Sequence, residues 1–330
     1  MIQKKYNWGV VAPGRIAHAF AEGLQRLENA RMYAVASRSI EKAKTFAEKF
    51  GFQKAYGSYD DLYNNPETEI LYIANPHNFH YKNVKAALSA GKHVLCEKPL
   101  TLNAVEAQEL VDLARKKNLF LMEAMWNRFQ PVTFKVKELV NSGVIGELLH
   151  INADLAFNFP FDESHRIYNP ELGGGSLLDL GVYPISYASM FWGEPQKINA
   201  VVHKAKTGVD DEVNAVLEYA DGKNAQILCA SRFHSPTRVD LIGSKGRIKV
   251  HGMMIRSSKI TLHIEGKDPE IIDCPYEGNA YHYQARAVME MLDQGKTEHP
   301  VMPLDETVAI MRTMDKIRFD AGIFYPTEKR

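Results

Sequence analysis

Two separated stretches of this chain carry residues of the right type and spacing for acid–base chemistry. Glu97-Lys98-Pro99 follows the apolar run His93–Cys96. Proline disfavours helix for the residue before it, so Lys98 is expected to be extended at the end of a strand. There its ammonium can polarise a carbonyl or stabilise an alkoxide. The plainer alternative is a surface lysine in a turn. The second stretch is Gly173-Gly174-Gly175 followed by Ser176–Tyr183. Three glycines permit close backbone approach, and Asp179 and Tyr183, four apart, share one helix face. A tyrosine can accept and return a proton. Its ordinary pKa is about 10, and a lysine ammonium nearby would favour the phenolate. Asp179 would act in the opposite sense on a phenol it touched, so its expected role is to bind a substrate hydroxyl. The alternative for this pair is capping or packing.

A third stretch, Gly9 to Ala17, lies at the first strand-to-helix turn. A dinucleotide fingerprint places glycines where Ala12, Gly14 and Ala17 stand, and only Gly14 keeps one. Gly14 would let backbone approach a pyrophosphate at a helix N-terminus, where the dipole favours anions; an ordinary tight turn is the alternative. About 20 residues on, where an acid would bind the ribose hydroxyls of NAD, the second strand ends in Ser37-Arg38. Arg38 can bind a 2′-phosphate and stack on adenine, and Ser37 adds a hydroxyl. NADP is therefore the expected cofactor, with NAD possible. A solvated arginine is the alternative.

Further polar groups also follow strand ends. Asn75-Pro76-His77-Asn78-Phe79-His80 follows Ile70–Ala74, and Trp126-Asn127-Arg128 follows Leu119–Glu123. Open α/β sheets bind ligands beyond the carboxyl ends of their strands. His77 and His80 have a spacing that could serve a metal, but no Cys/His cluster of zinc spacing accompanies them. No metal is expected. Hydrogen bonding to substrate, or contact with adenine or nicotinamide, suits them better.

The elements needed to position these residues follow from hydrophobic periodicity. Strands at Trp8–Ala12, Met32–Ala36, Ile70–Ala74, His93–Cys96 and Leu119–Glu123 alternate with helical patterns, which predicts a doubly wound parallel sheet of the Rossmann kind. Asn103 and Glu106 have capping-box spacing before a helix running to about Lys117. Beyond about residue 145 come successive strands: Leu148–Phe157, Ile198–His203, Val213–Tyr219, Gln226–Phe233, Arg238–Ile242, Arg247–Val250 and Ile260–Ile264. One helix, about Ser176–Phe191, interrupts them. Two more close the chain, near Tyr281–Leu292 and Asp305–Phe319. The fold class is thus α/β: a dinucleotide-binding Rossmann domain over 1–125, then an α+β domain over 126–330 with a largely antiparallel open sheet for substrate binding and oligomerisation.

Composition narrows the function classes. The 330 residues balance 40 Lys plus Arg against 40 Asp plus Glu, so a nucleic-acid partner is not expected. No apolar stretch is long enough to span a membrane, and no secretory signal is visible. Three scattered cysteines make no disulfide framework, so a reduced, cytoplasmic protein is expected, with Cys96 a packed strand residue.

With these residues in view, the sequence resembles the Gfo/Idh/MocA oxidoreductase family. Glu97-Lys98-Pro99 matches its EKP signature, and Gly173–Tyr183 matches its GGGxxxDxGxH/Y signature. Tyr183 in the last position, with Ser37-Arg38, Ala55–Tyr59, Val94–Pro99, Leu119–Ala124 and Trp126–Phe129, is similar to the dimeric dihydrodiol dehydrogenases and neighbouring NADP-linked sugar dehydrogenases. The resemblance implies that Lys98 and Tyr183 are the catalytic pair, with Asp179 nearby. It implies that Ala12, Gly14, Arg15, Ile16, Ser37, Arg38, Asn75, His77 and Glu97 line the cofactor. Trp126 and Asn127 would lie by the nicotinamide or substrate. Arg166 matches an arginine that often reaches the cofactor, and Tyr281 a tyrosine near the nicotinamide. It also implies a homo-oligomer, a dimer or dimer of dimers.

The function expected is hydride transfer between NADP and a secondary alcohol or ketone of a sugar, polyol or cyclic diol. Asp179, His80, Asn127 and Arg128 favour a sugar or polyol; Trp126, Phe157 and Phe159 favour an aromatic diol. Two alternatives stay open: an NAD-dependent glycosidase of the same fold, and a non-enzymatic cofactor-binding regulator.

Overall fold

A computed structural model describes residues 4–328. In chain order the strands are β1 (Tyr6–Val11), β2 (Ala30–Ala36), β3 (Lys54–Tyr56), β4 (Ile70–Ile73), β5 (His93–Glu97), β6 (Leu121–Ala124) and β7 (Leu148–Ala156), then β8 (Lys197–Lys204), β9 (Asp210–Glu218), β10 (Asn224–Ala230), β11 (Val239–Gly243), β12 (Gly246–Val250), β13 (Lys259–Ile264) and β14 (Glu270–Asp273). The helices are α1 (Arg15–Leu24), α2 (Ile40–Phe50), α3 (Tyr59–Tyr63), α4 (His80–Ser89), α5 (Ala104–Lys117), α6 (Pro131–Asn141), α7 (Val182–Trp192), α8 (Tyr281–Asp293) and α9 (Leu304–Asp320).

Two compact units divide the chain. The first runs to Thr101, resumes over Val105–Trp126 and takes in Glu277–Thr307. The second holds Leu102–Ala104, Asn127–Tyr276 and the chain from Val308 onward. A single cut near residue 125 therefore does not separate them.

The first unit contains a six-stranded parallel sheet in the order β3-β2-β1-β4-β5-β6. Its strands are continuous apolar runs because both faces are covered; every residue of β4 and β6 is buried. The strand order reverses between β1 and β4, so the carboxyl ends of those strands flank the switch point where such sheets take ligands. Helix α8 joins this unit through contacts that no local pattern reveals. Trp8 Nε1 lies 3.5 Å from Met289 Sδ, Tyr6 donates to Asp293 at 2.8 Å, and Asn279 donates to the Ala19 carbonyl at 2.7 Å. At Gly23 on α1 a Cβ would lie 2.9 Å from the His282 amide nitrogen, so that glycine lets α8 approach.

The second unit is built on an eight-stranded sheet ordered β14-β13-β12-β11-β7-β10-β9-β8. All its pairs are antiparallel except β7 with β10. One face is apolar and buried, carrying Ile151, Ala153, Leu155, Val213, Ala215, Leu217, Ile227, Leu241 and Ile248. Alternation puts Asn199, Val201, Asn214, Val216, Asn152 and Ile242 on the other face. Val201 there is 74% exposed. The helix expected from Ser176 begins instead as a π-turn over Leu177–Gly181 and continues as α7.

Candidate active site

At the β1–α1 turn, Ala12 sits at φ 67°, the left-handed region that glycine favours. Its amide donates to the Ala36 carbonyl at 3.0 Å, and the Gly14 amide to the Ala12 carbonyl at 2.8 Å, which fixes the turn. Gly14 itself is extended, and a Cβ there would meet nothing within 4 Å. The protein's own packing thus does not require glycine at this point; close approach by another group would. Helix α1, opening with Arg15 and Ile16, has no side-chain cap and no acid in its first turn, so its N-terminus suits an anion.

Beyond β2, Ser37 is buried and Arg38 exposed. Ser37 Oγ accepts from the Ser39 amide at 3.3 Å, and Ser39 caps α2 by accepting from Lys42. The turn at the strand end contains no carboxylate.

Beyond β4 and β5 the structure builds one braced assembly. Asn75 accepts from Asn83 Nδ2 at 3.0 Å and donates to Tyr59 at 3.2 Å, and Tyr63 donates to Asn83 at 2.9 Å. His80 is fully buried, with Nδ1 2.7 Å from the Pro99 carbonyl and Nε2 2.8 Å from the Asn75 carbonyl. Both acceptors are carbonyls, so both contacts are hydrogen bonds only when the ring carries two protons. Burial lowers the His80 pKa, the two carbonyls oppose that, and Lys98 reinforces it; the net direction is down. Packed between the two carbonyls, with one N–H to donate in its neutral form, His80 bridges the Asn75 loop and the Lys98-Pro99 loop. The direct substrate contact expected of it is replaced by this internal brace. His77 is also buried, its ring 5.8 Å from that of His80.

Lys98 is half-buried, and its peptide bond to Pro99 is cis. The next amide, Leu100, donates to Glu123 Oε1 at 3.0 Å. Glu97 accepts a short hydrogen bond from the Tyr72 phenol, which burial first and the carboxylate second push well above its usual range. Phe20 stacks on Tyr72 at 3.7 Å. Cys96 beneath is a packed residue, its thiol raised far above the usual range by burial, then by Glu97 and Glu123. Trp126 and Tyr281 stack face to face, centroids 4.5 Å apart at 13°.

In the second unit the triglycine stretch is tightly packed. A Cβ at Gly174 would lie within 2.8–2.9 Å of the Asn169, Arg166 and Ile167 carbonyls. Gly175, at φ 112°, presses on the Asp210 carboxylate, where a Cβ would be 2.4 Å from Oδ1. Two glycines are thus demanded by the protein's own backbone and Asp210. The following π-turn carries Asp179, 5% exposed, and α7 carries Tyr183, also 5% exposed. Arg166 donates to Asp179 Oδ2 at 2.9 Å. Asn127 is buried, and its Oδ1 has no hydrogen-bond partner among the described residues. Arg128 is 2% exposed and donates to the hydroxyl and carbonyl of Ser186 at 2.8 and 2.6 Å. It anchors α7 and is not available as the sugar ligand suggested by its place after a strand.

The first unit groups Ala12, Gly14, Arg15, Ile16, Ser37, Arg38, Asn75, His77, Glu97, Lys98, Trp126 and Tyr281; the second holds Asn127, Arg166, Asp179 and Tyr183. Sequence reasoning passed over Tyr72, Glu123 and Asp210. A carboxylate at a buried strand end was the available signal for Glu123. Asp210 gave none beyond its place before a strand. Among the described residues, no group of three or more His, Cys, Asp or Glu could hold a metal ion, and no helix is long and apolar enough to cross a membrane.

The open backbone at Gly14, the uncapped α1 and the reversing strand order are those of a dinucleotide-binding domain. The family model for the oxidoreductase family with an NAD-binding Rossmann fold matches residues 6–125, and the GFO/IDH/MocA C-terminal domain matches residues 133–249. Trans-1,2-dihydrobenzene-1,2-diol dehydrogenase of Mus musculus is 37% identical, covering 98% of this chain and 99% of that protein. The Homo sapiens protein of the same name is 34% identical, with the same coverage. Among solved structures, KijD10, a 3-ketoreductase from Actinomadura kijaniata in complex with NADP and TDP-benzene, superposes with TM-score 0.86 at 27% identity, covering 96% of this chain and 98% of that one. Aldose-aldose oxidoreductase from Caulobacter crescentus gives 0.87 at 25% identity, covering 97% and 98%. The chain belongs to the GFO/IDH/MocA oxidoreductase family. It is an oxidoreductase with an NAD(P)-binding Rossmann domain.

Proposed function

We propose that the protein transfers hydride between NADP and a secondary alcohol or ketone of a sugar, polyol or cyclic diol. The observation that carries the cofactor choice is exposed Arg38 beside the Ser37 hydroxyl, at a strand end without a carboxylate. The names of the relatives support the substrate class: a cyclic diol for the curated proteins, a ketone for one solved structure and aldoses for another.

A bound nicotinamide would supply the hydride acceptor for oxidation and the hydride donor for reduction. Tyr183 takes the substrate hydroxyl proton in oxidation and returns it to the developing alkoxide in reduction. Lys98 holds the same oxygen and stabilises its charge. Asp179, oriented by Arg166, binds a second substrate hydroxyl. Gly14, Arg15 and Ile16 bind the pyrophosphate at the head of α1. Ser37 and Arg38 bind the 2′-phosphate. Asn75, His77, Glu97, Asn127, Trp126 and Tyr281 shape the nicotinamide end. A second copy of the chain packs on the open face of the eight-stranded sheet, whose Val201 and Ile271 are 74% and 64% exposed.

The test is fluorescence titration with NADPH and NADH, followed by nicotinamide absorbance assays against aldoses, polyols and trans-dihydrodiols. Tight NADPH with weak NADH supports the Arg38 reading, and Arg38→Ala should erase the difference. Equal affinity overturns it. Lys98→Ala and Tyr183→Phe should each lower turnover at least about a hundredfold. Near-normal rates in either variant would remove that residue from the mechanism.

A further inference from the structure

Asp179 and Tyr183 straddle an irregular piece of backbone. Asp179 lies inside the π-turn and Tyr183 just beyond it, where the Val182 amide reaches back to the Leu177 carbonyl. A π-turn contains one more residue than the α-turn it replaces. Annealing it to α would turn Asp179 against Tyr183 by about 100°, one residue's rotation. The mutual direction of the two side chains therefore depends on what keeps the turn wide.

Contacts from the sheet hold it. Asp210, the first residue of β9, is completely buried, and its Oδ2 accepts from Ser176 Oγ at 2.7 Å and from the Leu177 amide at 2.6 Å. Ser176, in the N-cap position, makes no side-chain cap of its own, so Asp210 supplies the cap from another strand. Its Oδ1 lies against the Cα of Gly175. At the far end, Gly181 packs on β10, where a Cβ would come within 2.7 Å of Cys229 Sγ. Just upstream, the Tyr325 phenol donates to the Gly174 carbonyl.

We propose that Asp210 is a positioning residue for the reaction: its carboxylate oxygen locks the start of the π-turn and so sets Asp179 and Tyr183 in their working orientation. The inference rests on the assignment of Tyr183 as the proton-transfer group. It is a matter of geometry rather than charge, because one acceptor oxygen receives both hydrogen bonds. An amide oxygen at the same place can receive them too.

The experiment compares Asp210→Asn, Asp210→Ala and Tyr183→Phe by turnover, NADPH titration, thermal melting and hydrogen exchange over residues 176–183. Asn buries two new N–H donors without acceptors, so both Asp210 variants should melt earlier than the parent. Turnover should separate them: within about threefold of the parent for Asn, and down about a hundredfold for Ala, with NADPH affinity unchanged in both. Exchange over 176–183 should rise in Ala alone. Turnover that tracks melting temperature in both variants, or parental turnover in Ala, overturns the proposal. If the Ala variant does not fold, Ser176→Ala removes one of the two donors and should lower kcat by about tenfold without altering KM for NADPH; a kcat within about threefold of the parent is then the overturning result. Full activity in Tyr183→Phe would refute the proton-transfer assignment instead, leaving the exchange measurement to decide whether Asp210 holds the turn.

Discussion

The guanidinium of Arg166 donates to Asp179 Oδ2 at 2.9 Å. Half of the Arg166 side chain is exposed and almost none of Asp179. An ion pair open to solvent on one side contributes about 0–1 kcal/mol to stability. Its importance is directional, since it orients the carboxylate proposed to receive a substrate hydroxyl. Arg166→Met should leave the melting temperature nearly unchanged and lower kcat/KM for the polyol by about tenfold. Steady-state kinetics beside a melting curve decide this. A loss of stability without a kinetic effect would make the pair structural only.

At the nucleotide turn, two substitutions should act in opposite ways. Gly14→Ala places a methyl in open space on extended backbone, so stability should stay within about 0.5 kcal/mol. The same methyl would obstruct a pyrophosphate, and NADPH affinity should fall at least about tenfold. Ala12→Gly relieves a left-handed alanine and should raise stability by about 0.5–1 kcal/mol, net of glycine's unfolded-state entropy. Denaturant melts and nucleotide titrations read both. A destabilised Gly14→Ala would mean that the glycine serves packing.

His80 faces two carbonyls, and its amide analogues can test each one. Asn places a donor near the Nδ1 position that faces Pro99; Gln places one near Nε2, facing Asn75. Since Pro99 adjoins Lys98, His80→Asn should retain more turnover than His80→Gln, by about tenfold. Equal losses in both would reduce the brace to packing. The wild-type pKa is lowered by burial, so the unfolded chain protonates first as the pH falls below about 6.5. His80 therefore subtracts stability on the acid side.

His299 should add to that acid sensitivity. Burial, then Lys296, brings its pKa down to about 4. Its Nδ1 accepts from the Val301 amide at 3.0 Å, a bond that needs the neutral ring. The folded-state value lies below the unfolded one, so stability is full above about pH 6.5 and declines as the pH falls towards 4. His299→Gln should flatten this decline in denaturant melts taken across the range. An unchanged slope would assign the acid sensitivity to other groups.

The candidate site could be proposed from the sequence because its signals are local. Pro99 after Lys98, three glycines before Ser176, and a strand ending in Ser37-Arg38 are all patterns of neighbouring residues. So was the alternation of apolar runs and helical periods behind the six-stranded sheet. The second sheet was readable from period-two alternation, although β14 escaped, as did β3 and the helices α3 and α6. These are short elements or ones with weak patterns.

The amino-acid sequence alone determined the fold class and the carboxyl-end clustering of polar residues, and it nominated Lys98 and Tyr183 as candidates, because each of these signals lies within one strand–turn–helix segment. Tertiary structure alone decided what the buried polar residues do. His80 and Arg128 had the chemistry of ligands but spend it on the backbone or side chains of distant segments. Asp210 had no distinguishing neighbours, yet it caps a turn 33 residues before it. Helix α8, remote in sequence, closes the first unit against Trp8 and Gly23. A buried hydrogen-bonding group must find a partner wherever the folded chain supplies one. Which partner it finds is set by how distant segments pack, and periodicity carries no record of that.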